Sequence, residues 1–400
     1  MNYTKPLFEV ADIIRGYRNT LEEKGKLTGH QKKVFTNLAQ CRTAALGYHK
    51  DKCDNPQCGY IHISYNSCRD RHCPKCNGIK REKWVCMREE DLLPIKYFHV
   101  VFTVPEKVNP VFLSQPVKMY NLLFSSAWGT IKKFGLDHKH LGAQTGMIGV
   151  LHTWGQNIAL HPHIHCIIPA GGITKNEKWR NTRQEGKYLF PVKALSKVFR
   201  GIFCDGLIAL DKKGEIHLEH KFDPQKKYLH PYYEKRWVAY AKLPMHNPMQ
   251  VVKYIGRYTH RIAISNHRIK EISNDRVRFS WFNYRRSKAG AMELPAEEFL
   301  QRFSLHVLPY GFMKIRHYGI LSSRKKSDAL TLARELLKAE PPVSKKEMSW
   351  EELFMLLYGR EAFICPVCKK GKMVVIESVS PQPRGSPWEK PQFNYSFLMQ

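Results

Sequence analysis

The stretch His161-Pro-His163-Ile-His165-Cys166 sets imidazoles at alternate positions of the chain. On an extended strand, residues two apart project from one face. His163 and His165 therefore aim at a common point, while Ile164 and Cys166 turn toward a core. Two convergent imidazoles with coordination positions left open make a catalytic site for a divalent ion. Pro162 leaves open whether His161 joins them, and an exposed surface strand would show the same alternation. The second element is Tyr254-Ile-Gly-Arg-Tyr258. Residues four apart on a helix lie one turn above each other, which presents two phenols side by side. A phenolic oxygen can attack a backbone phosphate in line, hold the 5′ end as a phosphotyrosine ester and release a 3′ hydroxyl. The ester conserves the bond energy, so the strand can be rejoined. A divalent ion would polarise the phosphoryl oxygens and fix the scissile bond. Spacing alone favours two core residues of an amphipathic helix. Arg257, His260, Arg261, His267 and Arg268 crowd the same region, however, and fit a phosphate track.

The chain has 11 cysteines, and most of them lie between Cys41 and Cys86. Cys53-x4-Cys58 is followed by Cys68-x4-Cys73-Pro-Lys-Cys76. Zinc takes four thiolate or imidazole ligands in a tetrahedron, usually as two close pairs from two turns. Cys73 and Cys76 form one pair and Cys53 and Cys58 the other, with Asn55, Pro56 and Gly59 to turn the chain. Cys41, Cys68, His49 and His72 remain as ligands for a second ion, and Cys86 reads as a buried thiol without a ligand role. A closed zinc shell contributes folding energy, and the interleaved Arg69, Arg71, Lys75, Lys80, Arg81 and Lys83 make this a module for gripping DNA. Cys365-Pro-Val-Cys368 is half a site, either completed by a distant pair or an orphan knuckle.

These groups need a folded frame, and the composition supplies one. Apolar residues make up 43% and aromatic residues 12% of 400 residues, enough for more than one core. Lysine and arginine outnumber aspartate and glutamate by 65 to 35, a net charge of +30 spread along the chain. Such a surface repels itself and seeks a polyanion; nucleic acid fits, because each neutralised phosphate releases a counterion. No apolar run is long enough to span a bilayer, and Met1 to Val10 lacks the apolar centre of a signal peptide. Reduced thiols in the cell interior then favour metal over disulfides.

The pattern predicts strands over Tyr97–Val104, Met147–Trp154 and His163–Pro169, with helices over 115–134 and 193–203. A helix over 248–260 would place Val251, Tyr254, Ile255 and Tyr258 on one side. Strands at Arg261–Ile264 and Val277–Phe282, a helix at Pro295–His306 and a strand within Phe312–Leu321 follow. Pro341-Pro342 and the proline-rich end suggest a looser tail. The expected class is α+β, with a zinc-binding, DNA-binding module over 1–92, a catalytic domain over 93–338 and a tail with a Cys-x2-Cys knuckle over 339–400.

Taken together, Cys41-Arg-Thr-Ala-Ala-Leu-Gly47, Ser67-Cys-Arg-Asp-Arg-His-Cys-Pro-Lys-Cys76, His161-Pro-His-Ile-His-Cys166, Tyr254-Ile-Gly-Arg-Tyr-Thr-His-Arg-Ile-Ala-Ile-Ser-Asn266 and Gly311-Phe-Met-Lys-Ile-Arg-His-Tyr-Gly-Ile320 resemble the rolling-circle transposases of the insertion-sequence 91 family, within the HUH nuclease class. The resemblance runs from about residue 10 to 370. It implies an antiparallel catalytic sheet with the histidines on a central strand and the tyrosines on a facing helix. Tyr254 and Tyr258 would act in turn, one on the donor strand and one on the second strand. It also implies Mg²⁺ or Mn²⁺ at the catalytic site, Zn²⁺ in the amino-terminal module, single-stranded DNA at transposon ends and in the target as substrate, and a bacterial cytoplasmic, nucleoid-associated setting. Such sites usually have a third metal ligand, for which His161, Gln156 and His260 are candidates. No Gly-x4-Gly-Lys-Ser/Thr loop is present, so unwinding would fall to a host helicase. A plasmid replication initiator or relaxase would share the chemistry. A zinc-dependent DNA binder would never form a covalent adduct, and a metal-dependent hydrolase would leave free 5′ phosphates.

Overall fold

The central strands are apolar on both faces along much of their length, and that burial decides how the middle of the molecule is built. The computed structural model describes residues 6–76, 91–218, 237–241, 262–283, 288–341 except 325, and 361–381, with a few isolated positions that include Val251 and Gly256. In chain order the strands are β1 (Tyr48–Cys53), β2 (Ile61–Tyr65), β3 (Tyr97–Thr103), β4 (Gly146–Trp154), β5 (Leu160–Pro169), β6 (Gly171–Ile173), β7 (Trp179–Asn181), β8 (Val238–Ala241), β9 (Ile269–Ser273), β10 (Arg276–Asn283), β11 (Lys288–Pro295), β12 (Ile315–Gly319) and β13 (Met373–Val379). The helices used below are α1 (Val10–Glu23), α2 (Gly29–Gln40), α3 (Pro116–Leu136), α4 (Val192–Lys212), α5 (Ala296–Ser304) and α6 (Lys326–Leu336).

The central sheet has five antiparallel strands in the order β12-β4-β5-β3-β8. One face is wholly apolar: Val100, Phe102, Leu151, Ile164, Cys166 and Ile168 are buried there. Helices α3 and α4 cover it. Leu195, Phe199, Phe203 and Leu207 of α4 recur at helical spacing and point inward, and the Phe102 and Phe199 rings lie 4.7 Å apart. Gly149 lets α3 settle close, since a Cβ there would stand 3.2 Å from the Phe124 ring. The opposite face is divided. Tyr97, Ile148, Val150 and Ile167 are buried under Leu330 and Ala333 of α6, Ile320, Leu321 and Val251. Beyond them the same face carries histidines.

A second core joins α1 and α2 to the ribbon β9-β10-β11 and α5 through Ile13, Ile14, Phe35, Phe279, Phe299 and Phe303. Thr28 starts α2 with a reciprocal capping box to Gln31. Strands β2, β1 and β13 form a third sheet. The expected mixture of helix and antiparallel sheet is present, and no helix among the described residues is long and apolar enough to cross a membrane. Pro162 does not interrupt β5, which runs from Leu160. Two expectations differ. Ala263 and Ile264 are buried against the amino-terminal helices but belong to no strand. Part of the segment set apart as a tail, 373–379, pairs with β1 at residues 48–53 and completes a sheet of the amino-terminal module.

Candidate functional site: a histidine triad and two cysteine quartets

The sheet register gathers three histidines at one end of its divided face. His152 of β4 stands directly opposite His163 of β5, and Val150 opposite His165. Directly opposed residues share a face, so His152, His163 and His165 converge, with one ligand atom from each lying within 4.8 Å of the others. An ion held by imidazoles at about 2.1 Å needs nitrogens roughly 3–4 Å apart, which modest ring rotations from this spacing supply. His152 is 2% and His165 8% exposed, whereas His163 is half-buried. The site therefore opens on the His163 side.

Hydrogen bonds already orient two of the rings. The Nδ1 of His163 donates to the carbonyl of His161 at 2.7 Å, which places the ring's lone pair on Nε2, the atom that would ligate. The Nδ1 of His165 lies 2.8 Å from Nε2 of His99, a buried residue of β3. When His165 Nδ1 donates to His99, its own Nε2 keeps a lone pair for a metal. His152 stacks on Trp154 with ring centroids 4.6 Å apart, and Trp154 in turn meets His306 edge-on. Burial pushes His306 down to about 4, so it is neutral. Its Nε2 donates to the Ile158 carbonyl at 2.8 Å, and Nδ1 accepts from the Thr153 hydroxyl at 3.1 Å. Burial likewise holds His161 below its ordinary range, partly offset by Glu106.

The cysteines assemble differently from the expected pairing. Cys73 and Cys76 join Cys41 and Cys68, while Cys53 and Cys58 join Cys365 and Cys368. The hairpin of β1 and β2 carries Cys53 and Cys58 away from the knuckle at 73–76, and β13 returns the carboxyl-terminal pair to them. In the first quartet the sulfurs of Cys41 lie 3.4 Å from Cys76 and 3.5 Å from Cys73, and Cys68 lies 3.6 Å from Cys76. Four sulfurs at about 2.3 Å from one zinc stand about 3.8 Å apart, whereas a disulfide would bring two to about 2.0 Å. The quartet fits zinc. Neither proposed histidine belongs to it. His49 pairs with the Ser378 hydroxyl, and His72 bridges Asp70 at 2.9 Å and the Leu308 N–H at 3.1 Å. Burial works against the Asp70 carboxylate, yet hydrogen bonds from His72 and Asn37 keep it below its usual range.

Tyr254, Arg257, Tyr258, His260 and Arg261 lie outside the described residues, as do Lys80, Arg81, Lys83 and Cys86. Val251 and Gly256, on the same segment as the tyrosines, are both helical and buried. Arg69 is exposed beside the first quartet. Arg71 is not presented outward: its guanidinium donates to the carbonyls of Phe312 and Pro309 at 2.5 and 2.9 Å, tying the zinc module to the loop before β12. Lys75 pairs with Glu9, and Arg268 donates to the carbonyls of Ser280 and Gln156. Sequence reasoning missed His152 and His99. Each is a lone histidine within an apolar strand, and each faces the divided side of the sheet, a signal readable only once the strands are aligned.

A sheet presenting a histidine triad, joined to cysteine quartets of zinc geometry, is the frame in which the matches to known proteins fall. A family model described as "Putative transposase" matches residues 146–328, and one described as "Transposase zinc-binding domain" matches residues 13–104. They define a transposase with a zinc-binding domain. The chain is 40% identical over 380 residues to "Putative transposase y4qJ" of Sinorhizobium fredii, an alignment covering 92% of this chain and 95% of that protein. It is 25% identical over 369 residues to "Transposase for insertion sequence element IS801" of Pseudomonas savastanoi pv. phaseolicola, covering 90% of this chain and 87% of that protein. No solved structure matches. The chain belongs to the insertion-sequence 91 family of transposases.

Proposed function

We propose that this transposase cuts and rejoins single-stranded DNA at element ends as a two-tyrosine HUH nuclease, with Tyr254 and Tyr258 as nucleophiles and His152, His163 and His165 as the metal-holding set. One observation carries the reading: Ile148, Val150 and Ile167, on the sheet face that holds the triad, share a buried cluster with Val251, a helical residue. In the sequence Tyr254 and Tyr258 follow Val251 by three and seven residues, the spacing that sets side chains on one side of a helix.

The phenolic oxygen attacks phosphorus, the bond from phosphorus to the 3′ oxygen breaks, and the phenol's proton passes through solvent to the departing 3′ oxygen. The 5′ phosphate stays esterified to tyrosine. Attack by a 3′ hydroxyl reverses the exchange and reseals the strand. Two tyrosines one turn apart let donor and target strands be held together. A divalent ion bound by the triad would supply charge neutralisation on the non-bridging oxygens. His99 and the His161 carbonyl keep the imidazoles turned for that role. Three imidazoles without a carboxylate favour Mn²⁺ over Mg²⁺, which prefers oxygen ligands. The net charge of +30, exposed Arg69, and Arg257 and Arg261 beside the tyrosines hold the DNA backbone, and a host helicase supplies unwinding.

The test is incubation of the full chain with Mn²⁺ and single strands labelled at the 3′ end that carry the element terminus. A labelled, protein-linked product should survive denaturing electrophoresis and vanish in the Tyr254→Phe, Tyr258→Phe double variant. Free 5′ phosphates without an adduct would assign hydrolysis instead.

A further inference from the structure

We propose that Cys53, Cys58, Cys365 and Cys368 bind a second, structural zinc ion that fastens the carboxyl-terminal segment 361–379 onto the amino-terminal module. Cys365 and Cys368 lie outside both matched regions, 13–104 and 146–328, and reach Cys58 and Cys53 across 307 and 315 residues of sequence.

The sulfurs of Cys53 and Cys368 are 3.6 Å apart, and those of Cys58 and Cys365 are 3.8 Å apart. These are the edges of a tetrahedron about 2.3 Å in radius and nearly twice a disulfide bond of about 2.0 Å. Each pair sits on a tight turn. At the first, Asn55 accepts from the N–H of Gln57, and its carbonyl accepts from the N–H of Cys58 and Gly59. At the second, the N–H of Cys365 donates to the Gly371 carbonyl, and the N–H of Gly371 points at the Cys368 sulfur at 3.4 Å. The two turns then hold each other, because Asp54 and Lys372 exchange backbone and side-chain hydrogen bonds at 2.9 and 2.7 Å.

Two glycines record how closely the segments meet. A Cβ on Gly371 would stand 2.5 Å from the Cys53 sulfur, and one on Gly47 would stand 2.1 Å from the Val379 carbonyl oxygen. Gly47 also has a φ of 75°, where a side chain is strained in any case. Strand β13 offers little apolar burial of its own: Val374, Val375 and Ile376 are each at least half exposed. Backbone pairing and a few exposed polar contacts, His49 with Ser378 and Tyr48 and Lys50 with Glu377, must then hold a strand whose partner is hundreds of residues away, and loop closure opposes it. Four thiolates around one ion supply the missing attachment, since metal binding energy is folding energy. The donor set, all sulfur and all provided by the chain, is that of a closed zinc site.

Zinc per chain and differential alkylation test this. The purified full chain should carry two zinc ions, and the Cys365→Ser, Cys368→Ser variant should carry one. In the unaltered chain under native conditions, Cys53, Cys58, Cys365 and Cys368 should resist alkylation and become reactive together as a chelator is titrated in, as read by mass spectrometry of the peptides. One zinc per chain, a Cys53–Cys368 disulfide, or Cys365 and Cys368 reacting as fast as denatured thiols would overturn the proposal. None of these readouts depends on strand transfer, so the second zinc and the nuclease reading stand or fall separately.

Discussion

The cysteine quartets and the histidine triad could each hold a metal ion, yet they are finished to different degrees. The quartet of Cys41, Cys68, Cys73 and Cys76 supplies a complete tetrahedron from the protein, and Cys41 and Cys73 are no more than 1% exposed. The triad supplies three imidazoles and stays half-open at His163. A complete shell leaves the ion nothing to bind but the protein, so its energy goes into folding; an incomplete shell leaves room for substrate oxygens. Breaking the two sites should therefore produce opposite symptoms, one in stability and the other in chemistry.

Cys73→Ser should give the largest effect. Structural zinc in small modules contributes on the order of 10 kcal/mol of apparent binding energy, and Cys73 belongs to the core that includes Phe35, Ile13 and Phe299. Thermal unfolding of this variant should show loss of the zinc module together with one zinc. His163→Ala comes next and should do the reverse. His163 is half-buried, so the melting temperature should hold, while adduct formation with Mn²⁺ falls by a factor on the order of 10²–10⁴, in line with losing several kcal/mol of charge stabilisation. A His163→Ala chain that keeps full activity would separate the triad from the reaction.

His306 sharpens the contrast by pH. Burial lowers it from 6.5 to about 4, so the folded protein keeps it neutral where the unfolded chain takes up a proton. Its stabilising contribution is complete above pH 6.5 and is lost as pH falls toward 4, up to about 3 kcal/mol. Denaturant titrations between pH 4 and 7 should show this slope, and His306→Gln should make it shallower, leaving the part that comes from His72, His161 and Asp70, which are also held below their ordinary range, and from the cysteine quartets as protons displace their metal.

Much of this was legible in the residues, and the limits have physical causes. Alternation along His163 to Cys166 announced both a metal face and a core face, and the pattern over 193–203 announced a helix, though not that it covers the sheet. What a strand's own pattern does not contain is its register. His152 becomes a partner of His163 only through the alignment of β4 with β5, and Cys53 meets Cys368 only because β13 pairs with β1. Local spacing favoured joining Cys53 and Cys58 to the nearest knuckle, but topology sent them elsewhere. Charge misleads in a related way. Arg71 reads as a surface cation, yet its five donors are as well suited to capping carbonyls, and the loop at 309–312 offers two.

The smallest expected effect tests whether the open site is positioned from behind. His99 stands behind the triad, where its Nε2 meets the Nδ1 of His165 at 2.8 Å inside the sheet face. For His165 to offer Nε2 to a metal, Nδ1 must carry the proton, and His99 Nε2 is the acceptor that selects this tautomer. His99→Phe removes the acceptor while filling the space, and outer-shell losses of this kind typically cost 10–100-fold in metal affinity. The Mn²⁺ concentration for half-maximal adduct formation should rise by about that factor, with the rate at saturating Mn²⁺ little changed. His99→Gln, which restores an acceptor oxygen, should recover part of the loss. A merely structural role would lower the melting temperature of His99→Phe and leave the Mn²⁺ midpoint where it was, and that outcome would make His99 a core residue like the Ile167 opposite it.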